Sequence, residues 1–114
     1  MRTIGVVTVS RSDYGIYLPI LRRIEEESEL ELRLYVGGMH LAPQFGYTAQ
    51  WIEADGYEIA GRVEMLEVSD EPEGISKSIG RGVIGFAQCY AEGAPDILMV
   101  LGDRFEMFAA AAAA

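Results

Sequence analysis

The sequence predicts an α/β domain built on a Rossmann-like, doubly wound parallel sheet. Short apolar runs alternate with segments of helical periodicity, in the order βαβαβαβα. Each run ends in a polar turn, most of them carrying glycine. The chain has 114 residues, 50% of them hydrophobic, which suits one compact domain with a modest core and is too short for two of ordinary size.

The elements follow in order. Residues 3–9 (TIGVVTV) are apolar and β-branched and read as a buried strand. A polar turn, Ser10-Arg11-Ser12-Asp13, leads into a helix over 14–27, where Ile16, Ile20, Leu21 and Ile24 recur at helical spacing and Pro19 falls in the tolerated first turns. Residues 30–36 (LELRLYV) alternate as a second strand, ended by Gly37-Gly38. A loop over 39–45 precedes a short helix over 46–54, stopped by Gly56. Residues 57–66 predict a third strand, interrupted by Gly61, and 68–74 an acidic turn. A longer helix over 75–92 leads to a fourth strand over 96–101 (DILMVL), the turn Gly102-Asp103-Arg104, and a helix over 105–114. Right-handed crossovers and a Rossmann-like half give an expected strand order of 3-2-1-4. The run Ala109 to Ala114 forms a good helix but an unnatural domain end, so a piece of a longer enzyme is expected.

Charge and cysteine usage narrow the partners. A net charge of −9 gains nothing from counterion release, which argues against nucleic acid, and opposes an anionic membrane surface. The apolar run from Ile4 to Val9 is too short for a signal peptide or a membrane span. The single cysteine, Cys89, cannot form an internal disulfide and lies among Phe86, Ala87 and Tyr90, which suits a core position and a reducing cytoplasm. One histidine and one cysteine leave no zinc cluster. Gly80-Arg81-Gly82-Val83-Ile84-Gly85 matches GxGxxG, but it sits inside a helical segment where the dinucleotide fingerprint needs a preceding strand. We read it as small residues letting a helix approach the sheet, and expect no nicotinamide cofactor.

In such a sheet, ligands bind beyond the carboxyl ends of the strands, at the switch point. The segments there are Ser10-Arg11-Ser12-Asp13-Tyr14-Gly15, Gly37-Gly38-Met39-His40 and Gly102-Asp103-Arg104. Arg11 and Arg104 offer bidentate donors for phosphate, and the helix starting near Tyr14 adds backbone N–H groups. Equally, Ser12 and Asp13 can cap that helix with Arg11 solvated, and Arg104 can pair with Glu106 on the surface. Asp103 follows a buried strand and a glycine, where desolvation would tune it as a general base; an N-cap role is the alternative. His40, in a loop, is open to ligand contact or proton transfer, as it is to a structural role.

Three blocks carry a resemblance. Thr8-Val9-Ser10-Arg11-Ser12-Asp13-Tyr14-Gly15 resembles the opening signature of hydrolysing UDP-N-acetylglucosamine 2-epimerases. Gly38-Met39-His40-Leu41, Phe45-Gly46-Tyr47-Thr48 and Ile52-Glu53-Ala54-Asp55-Gly56 are similar to that family's next block, and Leu101-Gly102-Asp103-Arg104-Phe105-Glu106 to its GDRFE motif. The resemblance implies the first half of a glycosyltransferase-B type two-domain fold, with residues 1–114 an incomplete amino-terminal Rossmann-like domain, its carboxy-terminal domain absent. It implies a UDP-sugar in the cleft, no cofactor or metal, and a homo-oligomer. It assigns Asp103 and His40 to catalysis, Arg11 to the diphosphate, and Ser10, Asp13, Tyr14, Gly15, Arg104 and Glu106 to substrate binding. The implied reaction removes the sugar C2 proton, eliminates UDP and adds water to give N-acetylmannosamine for sialic acid-type synthesis; half a cleft alone would be inactive. A relative acting on UDP-2,4-diacetamido-2,4,6-trideoxy-glucose in the legionaminic acid pathway shares these motifs. From another class, a flavodoxin-like binding module fits the element pattern.

Overall fold

The computed structural model describes residues 1–67 and 71–114, Gln44 by its backbone alone. Four parallel strands lie in the order β3-β2-β1-β4: β1 Arg2–Thr8, β2 Leu30–Gly37, β3 Ile59–Val63 and β4 Ile97–Met99. Helices α1 (Arg11–Glu26), α2 (Ala49–Ala54), α3 (Pro72–Gly93) and α4 (Phe105–Ala113) connect or follow them, with two 3-10 turns at Gly38–Leu41 and Pro43–Phe45. This is the expected Rossmann order. A flavodoxin-like sheet would seat β3 beside β1; here β1 pairs with β2 and β4.

Alternation along β1 and β2 splits the interior into two layers. Val6, Leu34 and Val36 face one way, onto Tyr17, Leu21 and Ile24 of α1 and Ile52 of α2. Val7, Val9 and Tyr35 face the other, onto Phe86 of α3 and Met107, Ala109 and Ala110 of α4. Each fully buried Leu, Ile, Val, Phe or Met side chain contributes about 1.5–3 kcal/mol. Two hydroxyls in these layers, on Tyr17 and Tyr35, are buried without a hydrogen-bond partner among the described residues.

Small residues set how closely α3 approaches the sheet. A Cβ on Gly82 would lie 2.5 Å from Met65 Cε and 2.9 Å from Ala109 Cβ; one on Gly85 would lie 2.6 Å from Val63 Cγ1. Two of the glycines of the GxGxxG match therefore serve helix packing. Gly61 does not break β3: a Cβ there would sit 2.6 Å from Cys89 Sγ, so the glycine admits α3. Cys89 is half-buried, and burial pushes its thiol pKa up, away from nucleophile behaviour.

Several boundaries differ from the expected ones for local reasons. Helix α1 begins at Arg11, not Tyr14, because Ser10 is its N-cap and Asp13 completes a capping box. Helix α2 starts at Ala49, since Pro43–Phe45 forms a 3-10 turn closed by Gly46 at φ 81°. Strand β3 is shorter at both ends; Tyr57, expected in the strand, packs in the α1 layer. Pro72, at N1, starts α3 three residues ahead of the expected 75. Strand β4 spans only 97–99, and Asp96 turns back to accept a 2.8 Å bond from Thr3 N–H. Of the expected acidic turn, residues 68–70 lie outside the described residues. Among the described residues no helix is long and apolar enough to cross a membrane.

Candidate active site

The carboxyl edge brings the three expected turns together, and the 3-10 turn Gly38–Leu41 is the piece that joins them. Met39 N–H donates to Val9 O at 2.9 Å, which ties this turn to the end of β1. On its other side a Cβ at Gly38 would meet Glu106 Cγ at 3.1 Å and Val9 Cβ at 3.2 Å. Gly38 sits at φ +57°, so both the space and the backbone there favour glycine.

The β1–α1 turn is closed by a buried carboxylate. Asp13 accepts from the backbone N–H of Val9 (3.2 Å) and Ser10 (3.1 Å), from Ser10 Oγ (3.1 Å) and from the Thr8 hydroxyl. Burial raises its pKa above the ordinary carboxylate value, and these hydrogen bonds pull the other way. Asp13 was expected either at the substrate or as a helix cap; the hydrogen bonds it makes are internal ones of the capping box, which hold the turn. Ser10, buried as the N-cap, does the same.

His40 is enclosed by two threonines. The ring is fully buried, with Nε2 2.9 Å from Thr8 Oγ1 and Nδ1 2.8 Å from Thr48 Oγ1. With Asp13 ionised, the Thr8 hydroxyl donates to it and so accepts from His40 Nε2–H; Nδ1 then accepts from Thr48. Burial pushes the His40 pKa down to about 4, against a smaller upward pull from the Ser10 carbonyl. Of the two roles left open by its position, ligand contact and structure, the observed contacts are structural: a neutral link between β1 and the start of α2. Tyr14 is likewise turned inward, its hydroxyl donating to Asp55 at 2.6 Å, with its ring edge-on to His40 at 6.2 Å.

The groups left facing outward are few. Arg11, at the start of α1, lies with its Cζ 5.2 Å from the centre of the Trp51 ring on α2. Gly15 is exposed, and a Cβ there would meet nothing within 4 Å, so no close approach demands glycine at that position. Asp103 is exposed in the turn after β4, beside Gly102 at φ +87°. Asp103 is exposed, so burial does not tune it as was expected, and it is not the N-cap either: that position is Arg104, without a side-chain cap. Arg104 pairs with Glu106 at 3.1 Å and reaches Met39 Sδ at 3.2 Å. That pair was one of the expected alternatives, but Glu106 is fully buried, not on the surface. Arg11 and Arg104 thus belong to two different partners on the edge. Among the described residues no cluster suits a metal ion.

Sequence reasoning gave no role to Thr8, Thr48, Trp51 or Asp55. The spacing Ser10-x-x-Asp13 signals a capping box and identifies Ser10, in place of Ser12, as the N-cap. Nothing local marks the Thr8–His40–Thr48 link, whose members lie 32 and 8 residues apart.

Comparison with known proteins finds consistent relatives. A family profile described as UDP-N-acetylglucosamine 2-epimerase matches residues 22–114. The hydrolysing UDP-N,N'-diacetylbacillosamine 2-epimerase of Legionella pneumophila is 36% identical over 114 residues, 100% of this chain and 30% of that protein. The UDP-N-acetylglucosamine 2-epimerase of Neisseria meningitidis serogroup B is 32% identical over 112 residues, 98% of this chain and 29% of that protein. A crystal structure of UDP-GlcNAc 2-epimerase from Neisseria meningitidis bound to UDP-GlcNAc matches with a TM-score of 0.77 at 13% identity, over 99% of this chain and 29% of that one. At that identity the likeness establishes the fold, a Rossmann-like part of a glycosyltransferase-B type architecture. The chain spans about 30% of the length of the curated relatives it matches.

Proposed function

The chain belongs to the UDP-N-acetylglucosamine 2-epimerase family, and from that premise we propose that it forms the amino-terminal side of the cleft of a hydrolysing UDP-sugar 2-epimerase. The observation that carries this reading is the carboxyl edge itself. There, Arg11, Asp103 and Arg104 are exposed beside a β1–α1 turn whose carboxylate is satisfied internally.

In this reading Arg11 and the first N–H groups of α1 bind the diphosphate. Asp103 takes the proton from the sugar C2. The C1–O bond then breaks on the opposite face and UDP leaves with the electron pair, giving a 2-acetamidoglucal. Water adds at C1, and a proton returns to C2 from the other face, yielding the 2-epimer as a free sugar. Arg104, held by Glu106, faces the leaving group. His40, Asp13, Ser10 and Tyr14 act by holding these groups in place, not by touching the sugar. The enzyme would work in the cytoplasm as a homo-oligomer, which light scattering of the full-length protein tests.

Proton NMR of the full-length enzyme with UDP-N-acetylglucosamine in heavy water tests the chemistry. Free UDP and N-acetylmannosamine deuterated at C2 are expected; UDP-N-acetylmannosamine would place the protein on a non-hydrolysing branch. A second substrate has a specific observation behind it. The Legionella relative, whose name gives UDP-N,N'-diacetylbacillosamine, is 36% identical against 32% for the Neisseria enzyme. The same assay with both sugars assigns the substrate by the larger kcat/KM.

A further inference from the structure

We propose that Trp51 is a positioning residue that orders the Arg11 guanidinium for the diphosphate, an inference that rests on the reading of Arg11 given above. The guanidinium carbon stands 5.2 Å from the indole centre, within cation–π range. Trp51 is 54% exposed, so the ring is not there to fill the core. Both ends of the contact are anchored. The Ser10–Asp13 capping box fixes the start of α1, which carries Arg11. Helix α2, which carries Trp51, is tied to β1 through Thr48, His40 and Thr8, and to α1 through the 2.6 Å bond between Tyr14 and Asp55.

The chemistry of the contact differs from that at Arg104. A carboxylate partner, as Glu106 is for Arg104, cancels charge and occupies N–H donors. An aromatic face restricts a long side chain without consuming either, so an arginine held this way stays ready for an anion. Ordering such a side chain before the ligand arrives removes part of the cost of binding.

The test compares Trp51→Leu and Trp51→Phe in the full-length enzyme, with UDP affinity read by calorimetry and turnover by NMR. Leucine keeps apolar bulk and loses the quadrupole; phenylalanine keeps a ring. Trp51→Leu should weaken UDP binding and raise KM by about five-fold, with kcat little changed, and Trp51→Phe should restore most of the loss. In an Arg11→Met background, Trp51→Leu should add nothing further. Wild-type enzyme that binds UDP while Trp51→Leu binds it equally well, or an undiminished loss in the Arg11→Met background, would overturn this proposal alone. Wild-type enzyme that binds no UDP would overturn the reading of Arg11, and the proposal with it.

Discussion

The turns after β1 and β4 sit on the same sheet edge and are built in opposite ways. The first is enclosed: Asp13 takes hydrogen bonds from Thr8, Val9 and Ser10, and His40 ties Thr8 to Thr48. The second is open: Gly102 and Asp103 are exposed, and α4 starts without a side-chain cap. A buried, fully satisfied polar network rigidifies what it touches, whereas an exposed turn leaves its carboxylate to be set by whatever enters the cleft. Two aspartates that look alike in sequence, each in a polar turn, thus differ in structure: Asp13 is enclosed, and Asp103, the base in the proposed reaction, is exposed.

Substitutions break this contrast in a graded order. Asp103→Asn should lower turnover of the full-length enzyme by about 10²–10⁴-fold, while UDP affinity and the unfolding midpoint stay near wild type; near-normal turnover would remove Asp103 from the reaction. Asp13→Ala should act the other way round, lowering unfolding free energy in urea by about 3 kcal/mol through the lost cap and the stranded N–H groups. If Asp13→Ala is as stable as wild type, the enclosed turn is not the scaffold described here.

Acid adds a third test. His40 titrates lower folded, at about 4, than unfolded, at about 6.5, so the unfolded chain binds the proton first. Its contribution is complete above pH 6.5 and is lost as pH falls towards 4, a change on the order of 3 kcal/mol. Asp13, with its pKa raised, has the opposite sign: it favours the folded chain most when protonated. The difference between wild type and His40→Gln across this range isolates the histidine, and parallel stability curves would contradict its burial.

Much of the fold was legible because it is local. Apolar runs at 3–9 and 30–36 gave β1 and β2 to within about a residue at each end, and the helical setting of Gly80 to Gly85 exposed the false dinucleotide match. The site was legible as a place more than as a set of roles. That three turns meet at one edge follows from strand order. That His40 is sealed follows from Thr8 and Thr48, and that Glu106 is buried follows from the close approach Gly38 allows. These are tertiary facts with no local trace. Arg104 in the N-cap position, where Asp103 was the natural candidate, shows how a one-residue shift of a helix start reassigns a carboxylate.

The two stranded hydroxyls in the core have a consequence of their own. Tyr17 and Tyr35 supply ring volume, but each oxygen is buried without a hydrogen-bond partner among the described residues. Tyr17→Phe and Tyr35→Phe should each leave stability unchanged or raise it by about 1 kcal/mol, measurable as a higher urea midpoint. Tyr35 lies in the α3/α4 layer, whereas Tyr17 lies close enough to Asp13 to feel its charge, so Tyr35 is the position where such a protein can be hardened without disturbing the β1–α1 turn.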